Sequence, residues 1–290
     1  MKINYECAPC MLRQSKEAIE YATNKPEERM KITLKALDFL NNNFIKNTCS
    51  NKLGTDLHHM IMKETDNNDP YKDLREQGTV IAEKLIPQIR EIIKDDDTLE
   101  NYVKIAVAGN MIDYGALEVN ADVESLIKDK ISAKPTINDV DKLHEQLLKS
   151  DRILYLVDNG GEIVFDKLLI EKIREDYDIQ EIILAVKDAP ILNDAILEDA
   201  EKLGLDKITT LITTGAASVG VVEEYISDEL KELLNSVDLI ISKGMGNFEG
   251  LTEMTIERPV YFLLTSKCCV ISREIGVELG STVILKKYLN

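Results

Sequence analysis

The hydrophobic positions along this chain change period once. Over residues 9–22, Met11, Leu12, Ala18, Ile19 and Ala22 recur near helical spacing among charged residues, and over 27–43 Met30, Leu34, Leu37 and Leu40 repeat the pattern. Both stretches predict amphipathic helices. Asp69-Pro70-Tyr71 reads as a cap with proline at the first helical position, opening a helix to about Lys94 that is kinked or broken at Pro87. Further helices are expected over 98–117, 122–131 and 139–149. From residue 151, apolar runs of strand length alternate with charged helical segments: ILYLV (153–157), IILAV (182–186), ITTLI (208–212), DLIIS (238–242), VYFLL (260–264) and STVIL (281–285). Such runs fit strands buried on both faces, and their alternation with helices predicts a mainly parallel sheet with helices on both faces. The expected organisation is a mainly helical domain over 1–150 and a doubly wound α/β domain over 151–290.

Composition narrows the function. The 290 residues carry 52 acids and 35 bases, a net charge of −17. A chain this acidic, with no run of lysine and arginine, lacks the electrostatic footprint of a nucleic-acid binder. No signal-like or membrane-spanning apolar stretch is present, so a cytoplasmic protein without a membrane partner is expected. Five cysteines are an odd number in a long chain and do not suggest a disulfide framework. With three histidines only, metal chemistry must rest mainly on carboxylates, amides or thiols.

In an open parallel sheet, ligands bind beyond the carboxyl ends of the strands. There the chain offers Asp158-Asn159-Gly160-Gly161-Glu162, then Lys187-Asp188 with Asn193-Asp194, then Thr213-Thr214-Gly215, then Lys243-Gly244-Met245-Gly246-Asn247. Asp158, Asn159 and Asp194 are hard oxygen ligands suited to a divalent ion. Adjacent residues of a strand point to opposite faces, so Asp158 and Asn159 can share an ion only where the strand has ended. Gly160-Gly161 supplies that break and starts a helix whose N-terminus favours an anion. Lys187 and Lys243 add positive charge, and an ion, two lysines and a helix N-terminus together suit a phosphate. Plainer readings stand beside these. Asp158-Asn159-Gly160 is also turn chemistry, Asn193-Asp194 also a helix cap, and Glu162 either a group that orients substrate or water or a charge favouring the helix start. Cys7-x-x-Cys10 reads as an inert pair, a reactive thiol pair, or a zinc site with Cys49 or His58-His59. His58 and His59 themselves read as surface or capping residues.

Six segments resemble the damage-control phosphatases, a family long known as domain of unknown function 89: Cys7-Ala-Pro-Cys10, Asp69-Pro-Tyr71, Ala108-Gly-Asn-Met-Ile-Asp113, Val157-Asp-Asn-Gly-Gly-Glu-Ile-Val-Phe-Asp166, Lys187-Asp-Ala-Pro-Ile-Leu-Asn-Asp194 and Ser242-Lys-Gly-Met-Gly-Asn-Phe-Glu249. They span nearly the whole chain, and the paired cysteines are similar to those of the archaeal and bacterial branch. The resemblance implies a helical N-terminal region and a Rossmann-like C-terminal domain. It implies a divalent ion (Mg, Mn, Co or Ni) on Asp158, Asn159 and Asp194, and no organic cofactor. It also implies hydrolysis of phosphate monoesters of sugars or damaged cofactor-related metabolites. Asn110, Asp113, Lys187, Asn193, Lys243, Gly244 and Asn247 would then meet substrate, with Asp158, Asp194 and Glu162 catalytic and an ion-activated water attacking. Two other classes remain in view: an adenosine-cofactor group transferase of the methyltransferase kind, and a non-catalytic zinc or thiol protein built on Cys7 and Cys10.

Overall fold

The computed structural model describes residues 1–109, 129 and 131–289. Helices α1 (Cys7–Ala22), α2 (Pro26–Asn43), α3 (Ser50–Thr65), α4 (Lys72–Ile93) and α5 (Leu99–Gly109) come first. The α/β part follows as β1 (Ile137–Asn138), α6 (Val140–Leu147), β2 (Arg152–Leu156), α7 (Ile163–Asp176), β3 (Glu181–Val186), α8 (Leu197–Lys202), β4 (Thr210–Thr213), α9 (Asp228–Ser236), β5 (Leu239–Lys243), α10 (Gly244–Leu251), β6 (Ile256–Thr265), α11 (Cys269–Ile275) and β7 (Thr282–Leu289). The helix expectations over 110–128 lie outside the described residues.

The described strands form one sheet in the order β1-β7-β6-β5-β2-β3-β4, parallel throughout except where β7 runs against β6. Each apolar run predicted from the sequence supplies one of the six strands β2–β7. The runs are continuous because both faces are covered. Ile153, Tyr155, Ile182, Leu184, Leu239 and Ile241 point into a core shared with α4, α5, α6 and α7. Their alternate neighbours Leu154, Leu156, Ile183, Ala185 and Ile240 point into a second core under α9 and α10. Side chains alternate along a strand, so a run that must fill both cores has no polar position to spare. The edge strand β4 is only partly covered and accordingly carries threonines.

Chain order reverses beside β2. From β2 the chain winds outward through β3 to β4, then returns to place β5 on the other flank of β2. The carboxyl ends of β2 and β5 therefore face one crevice, the place where doubly wound sheets bind ligands.

The hydrophobic core does not divide at residue 150. Ile89, Ile93, Val103, Ile105 and Val107 of α4 and α5 pack into the same core as β2, while α1, α2 and α3 gather around a separate cluster of Ala18, Ile19, Ile32, Leu57 and Ile61. Even β1 joins the sheet, beside β7. The change of period at 151 thus marks the start of strand–helix alternation, and α4 and α5 are a layer of the α/β unit. Two local expectations also shift. Helix α4 begins at Lys72, beyond Pro70, and continues through Pro87; Asp69 makes a bidentate pair with Arg75 at 2.6 and 3.0 Å.

Helix α3 carries no sharp charge contrast, because it buries small polar residues together with Leu53, Leu57 and Ile61. It seats the helical cluster on the carboxyl edge of the sheet: Asn51 Nδ2 donates to Gly246 O, Thr55 Oγ1 accepts from Val219 N, and His59 Nε2 meets Ala217 O. His58 is not a surface residue. It is 2% exposed beside the Tyr71 ring, and its Nε2 has no hydrogen-bond partner among the described residues. Burial, with a smaller push from His59, lowers its imidazole to about 4. An unfolded histidine titrates near 6.5, so between pH ~6.5 and ~4 only the unfolded chain takes up this proton, and stability must rise with pH across that window. The expected loss on going to pH 4 is about 3 kcal/mol from this residue. Urea midpoints across that range should fall less steeply in His58→Gln; equal slopes would refute the assignment.

Candidate active site at the carboxyl edge of the sheet

Strand β2 ends at Leu156, and the next residues pair with a distant loop instead of continuing in the sheet. Asn159 and Asp194 form an isolated antiparallel bridge, in which Gly160 N donates to Asn193 O and Ala195 N to Asp158 O, both at 2.8 Å. This bridge brings Asp158, Asn159 and Asp194 to one place. Beside it Lys187 N donates to Ala195 O at 2.9 Å, so the end of β3 is stitched to the same loop. Leu192, just before the bridge, is held at φ +48°, a conformation costly for a branched side chain and typical of functional loops.

The ion pairs reveal two layers. Lys187 is 2% exposed; its Nζ donates to Gly220 O at 2.9 Å and lies 3.6 Å from Asp194 Oδ2. Lys243 lies deeper, fully buried, and its three donors meet Glu162 Oε1 at 2.5 Å, Asp166 Oδ1 at 2.5 Å and Ala106 O at 2.8 Å. Tyr155 closes the lower end, donating to Asp166 Oδ1 at 2.7 Å. Burial alone would lower the Lys243 ammonium, but Asp166 and Glu162 outweigh it and hold it above its ordinary value. The phosphate contact expected of Lys243 is therefore corrected: its hydrogen-bonding capacity is used within the protein, where it neutralises Glu162 and Asp166.

Glu162 links the layers. Asn159 Nδ2 donates to Asp158 Oδ2 at 3.0 Å and to Glu162 Oε2 at 3.2 Å, so the buried lysine, the glutamate and the amide form one chain of contacts ending at Asp158. The amide donor of Asn247 is likewise used within the protein, while its Oδ1 has no partner among the described residues. The residue is 1% exposed, and its Nδ2 ties Val157 O to Lys243 O, both at 2.9 Å. Gly244 sits at φ +76° with its α-carbon against the Asp158 carboxylate, where any Cβ would collide. Gly160 is packed as closely against the stem of Arg75, whose Nε lies 3.2 Å from Asp199. Asn110 and Asp113 lie outside the described residues.

Three contributors escaped the sequence reading: Arg75, Asp166 and Tyr155. Asp166 stands one helical turn after Glu162, a spacing that could have flagged it. Nothing in the local sequence marks Arg75 or Tyr155, because each acts across the fold.

The donor set fits a divalent cation. Among the described residues, four carboxylates, Asp158, Glu162, Asp166 and Asp194, gather around Lys187 and Lys243, with Arg75 acting on Asp194 from farther off. Burial first, then the charges of Asp194 and Glu162, push the Asp158 carboxyl well above its usual range. Asp194 is pushed up to about 6 by burial, against the pull of Lys187. A hard cation between these carboxylates would relieve that stress, and a turn of the Asn159 amide would present its oxygen. Among the described residues no three His, Cys, Asp or Glu side chains already surround one point.

Residues 3–283 match the family model described as damage-control phosphatase ARMT1-like domain. The chain belongs to this family. An uncharacterized protein of Methanocaldococcus jannaschii is 38% identical over 99% of this chain and 96% of its own length. A damage-control phosphatase of Pyrococcus horikoshii is 36% identical over 99% and 98%. The crystal structure of a DUF89 family protein from the same organism superposes with a TM-score of 0.90 at 35% identity, covering 99% of both chains. The damage-control phosphatase fold therefore extends over essentially the whole chain, and the names of its relatives support a phosphatase role. Among the described residues, no helix is long and apolar enough to cross a membrane.

Proposed function

We propose that this chain is a metal-dependent phosphatase that hydrolyses phosphate monoesters of small metabolites, sugar phosphates or damaged cofactor-related phosphates. The observation that carries the reading is the meeting of Asp158, Asn159 and Asp194 at the switch point of the sheet, with more carboxylates than cations around them. These three residues would hold the ion. When bound, a divalent ion such as Mg, Mn, Co or Ni would neutralise phosphoryl oxygens and make a water acidic enough to attack.

The remaining residues position and balance. Lys187 keeps an ammonium beside Asp194, next to where a phosphoryl group would lie. Glu162 holds the Asn159 amide and is itself fixed by Lys243, which keeps the deeper acids from adding further repulsion. Gly244 leaves the Asp158 carboxylate room, and the start of α7 favours an anion beside it. In this reading Asn193 contributes through its backbone, whose carbonyl anchors Gly160. The metabolite itself would be small and phosphorylated, and because the surface is acidic its capture would rest on the local cation rather than on long-range attraction.

Metal-stripped protein should be assayed with an aryl phosphate and a panel of sugar phosphates, each with Mg, Mn, Co and Ni. Turnover should appear on adding ion and vanish with chelator. Equal turnover in chelator, or none with any ion and ester, would overturn the proposal.

A further inference from the structure

An open pocket of 420 Å³ lies beside the carboxyl ends of β5 and β6, between α1, α3 and α11, and carries thiols that the proposed hydrolysis does not use. Cys7 and Cys10 of α1, Cys268 and Cys269 at the start of α11, and Asn51 of α3 stand around it. Asn51 is 2% exposed; its Nδ2 is taken by Gly246 O, and its Oδ1 is buried without a partner among the described residues. A buried amide oxygen with no donor is costly, which marks a place for a ligand bearing one. Glu249, held by Ser50 Oγ at 2.5 Å, adds a second acceptor, and burial pushes its carboxyl up. Gly54, buried in mid-α3, has no atom within 4 Å of where a Cβ would stand, so the pocket floor is open there.

All the cysteines are free, and no three of their sulfurs with neighbouring acids surround one point among the described residues. Cys7 and Cys10 lie one helical turn apart at the start of α1, the spacing at which two thiols can be joined. They are unequal. Cys10 is exposed, with Arg13 Nη2 4.0 Å from its Sγ. Cys7 is half-buried, its Sγ accepts from Asn4 N at 3.3 Å, and burial pushes its thiol up.

We propose that this pocket is a thiol–disulfide exchange site, in which Cys10 attacks a small amine-bearing disulfide held against Asn51 and Glu249 and Cys7 resolves the adduct. The Cys10 sulfur bonds to one sulfur of the small disulfide, whose S–S bond breaks and whose other half leaves as a thiol carrying the Cys10 proton. Cys7 then displaces the second half, which leaves with the Cys7 proton. Two electrons pass from the protein dithiol to the small disulfide, giving one Cys7–Cys10 bond and two free thiols.

The test uses the fully reduced whole chain and glutathione disulfide, read by intact mass and peptide mapping. Wild type should lose two hydrogens, with Cys7 and Cys10 linked. Cys7→Ser should stop at one glutathionyl group on Cys10. Gly54→Leu, which fills the open floor, should slow exchange about tenfold while Cys10 alkylation by small iodoacetamide stays within about twofold. A wild type that stays reduced, an adduct of Cys7→Ser on Cys268 or Cys269, or unslowed exchange in Gly54→Leu would overturn the proposal. If Gly54→Leu does not fold, the position of the adduct in Cys7→Ser decides alone.

Discussion

Replacing Asp158 by alanine is expected to lower metal-dependent hydrolysis of an aryl phosphate by roughly a thousandfold or more, a loss on the order of 4 kcal/mol in the transition state. The size follows from its place. Asp158 is at the end of β2, bridged to the Asp194 loop through its carbonyl and met by the Asn159 amide, with Gly244 holding room for its carboxylate. The backbone bridge does not need the side chain, so the variant should fold. Its stability should even gain, on the order of 1 kcal/mol without metal, because burial and the acids Asp194 and Glu162 already disfavour the ionised carboxylate. Metal should reverse the ranking: an ion at a hundred times its Kd adds about 2.7 kcal/mol to a protein that binds it. Thermal unfolding with and without Mn, set beside kcat/KM, reads both effects. An Asp158→Ala protein that keeps its activity, or its metal-induced rise in Tm, would remove this residue from the site.

Replacing Lys243 by alanine is expected to destabilise the fold by about 3–5 kcal/mol, the usual cost of leaving a buried partner charge unpaired. Here two carboxylates, Glu162 and Asp166, lose their cation at once, and Ala106 O loses its donor. Asp166 is already pushed up to about 6 by burial, even with Lys243 pulling it down. Without the lysine it should hold its proton to higher pH. The deficit against wild type should therefore be largest above neutrality and shrink as acidification neutralises Asp166. Urea unfolding at pH 8 and pH 5.5 measures it. Equal midpoints for variant and wild type at pH 8 would show that the lysine does not carry this charge balance.

Lys243 also shows where the sequence stops being readable. Its position after an apolar strand and before glycines suits a phosphate ligand as well as a buried counter-ion. The choice rests on Ala106 of α5 and on two acids of the Glu162–Asp166 turn, all far away in sequence. Lys187 has the same local setting, yet its ammonium stays beside Asp194. At Asn247 only half the amide is committed: its donor joins Val157 to Lys243, and its Oδ1 has no partner among the described residues. That the core is continuous across residue 150 is hidden from the sequence for a related reason. Helices α4 and α5 have the ordinary amphipathic pattern, and that pattern does not say which core the apolar stripe enters. Helix α3 gives no clear signal in the sequence, because small polar residues share its buried face.

By itself the sequence determined the α/β architecture, since strands covered on both faces can tolerate no polar positions and so announce themselves as unbroken apolar runs. It also determined which residue types stand at the strand ends, because glycine, aspartate and asparagine are what chain reversal there demands. Tertiary structure alone decided which of those groups meet. Asp158 and Asp194 come together through a bridge between loops, and Lys243 points inward because Glu162 and Asp166 meet it there. Side-chain direction beyond a strand end is set by long-range partners, and no local pattern records them.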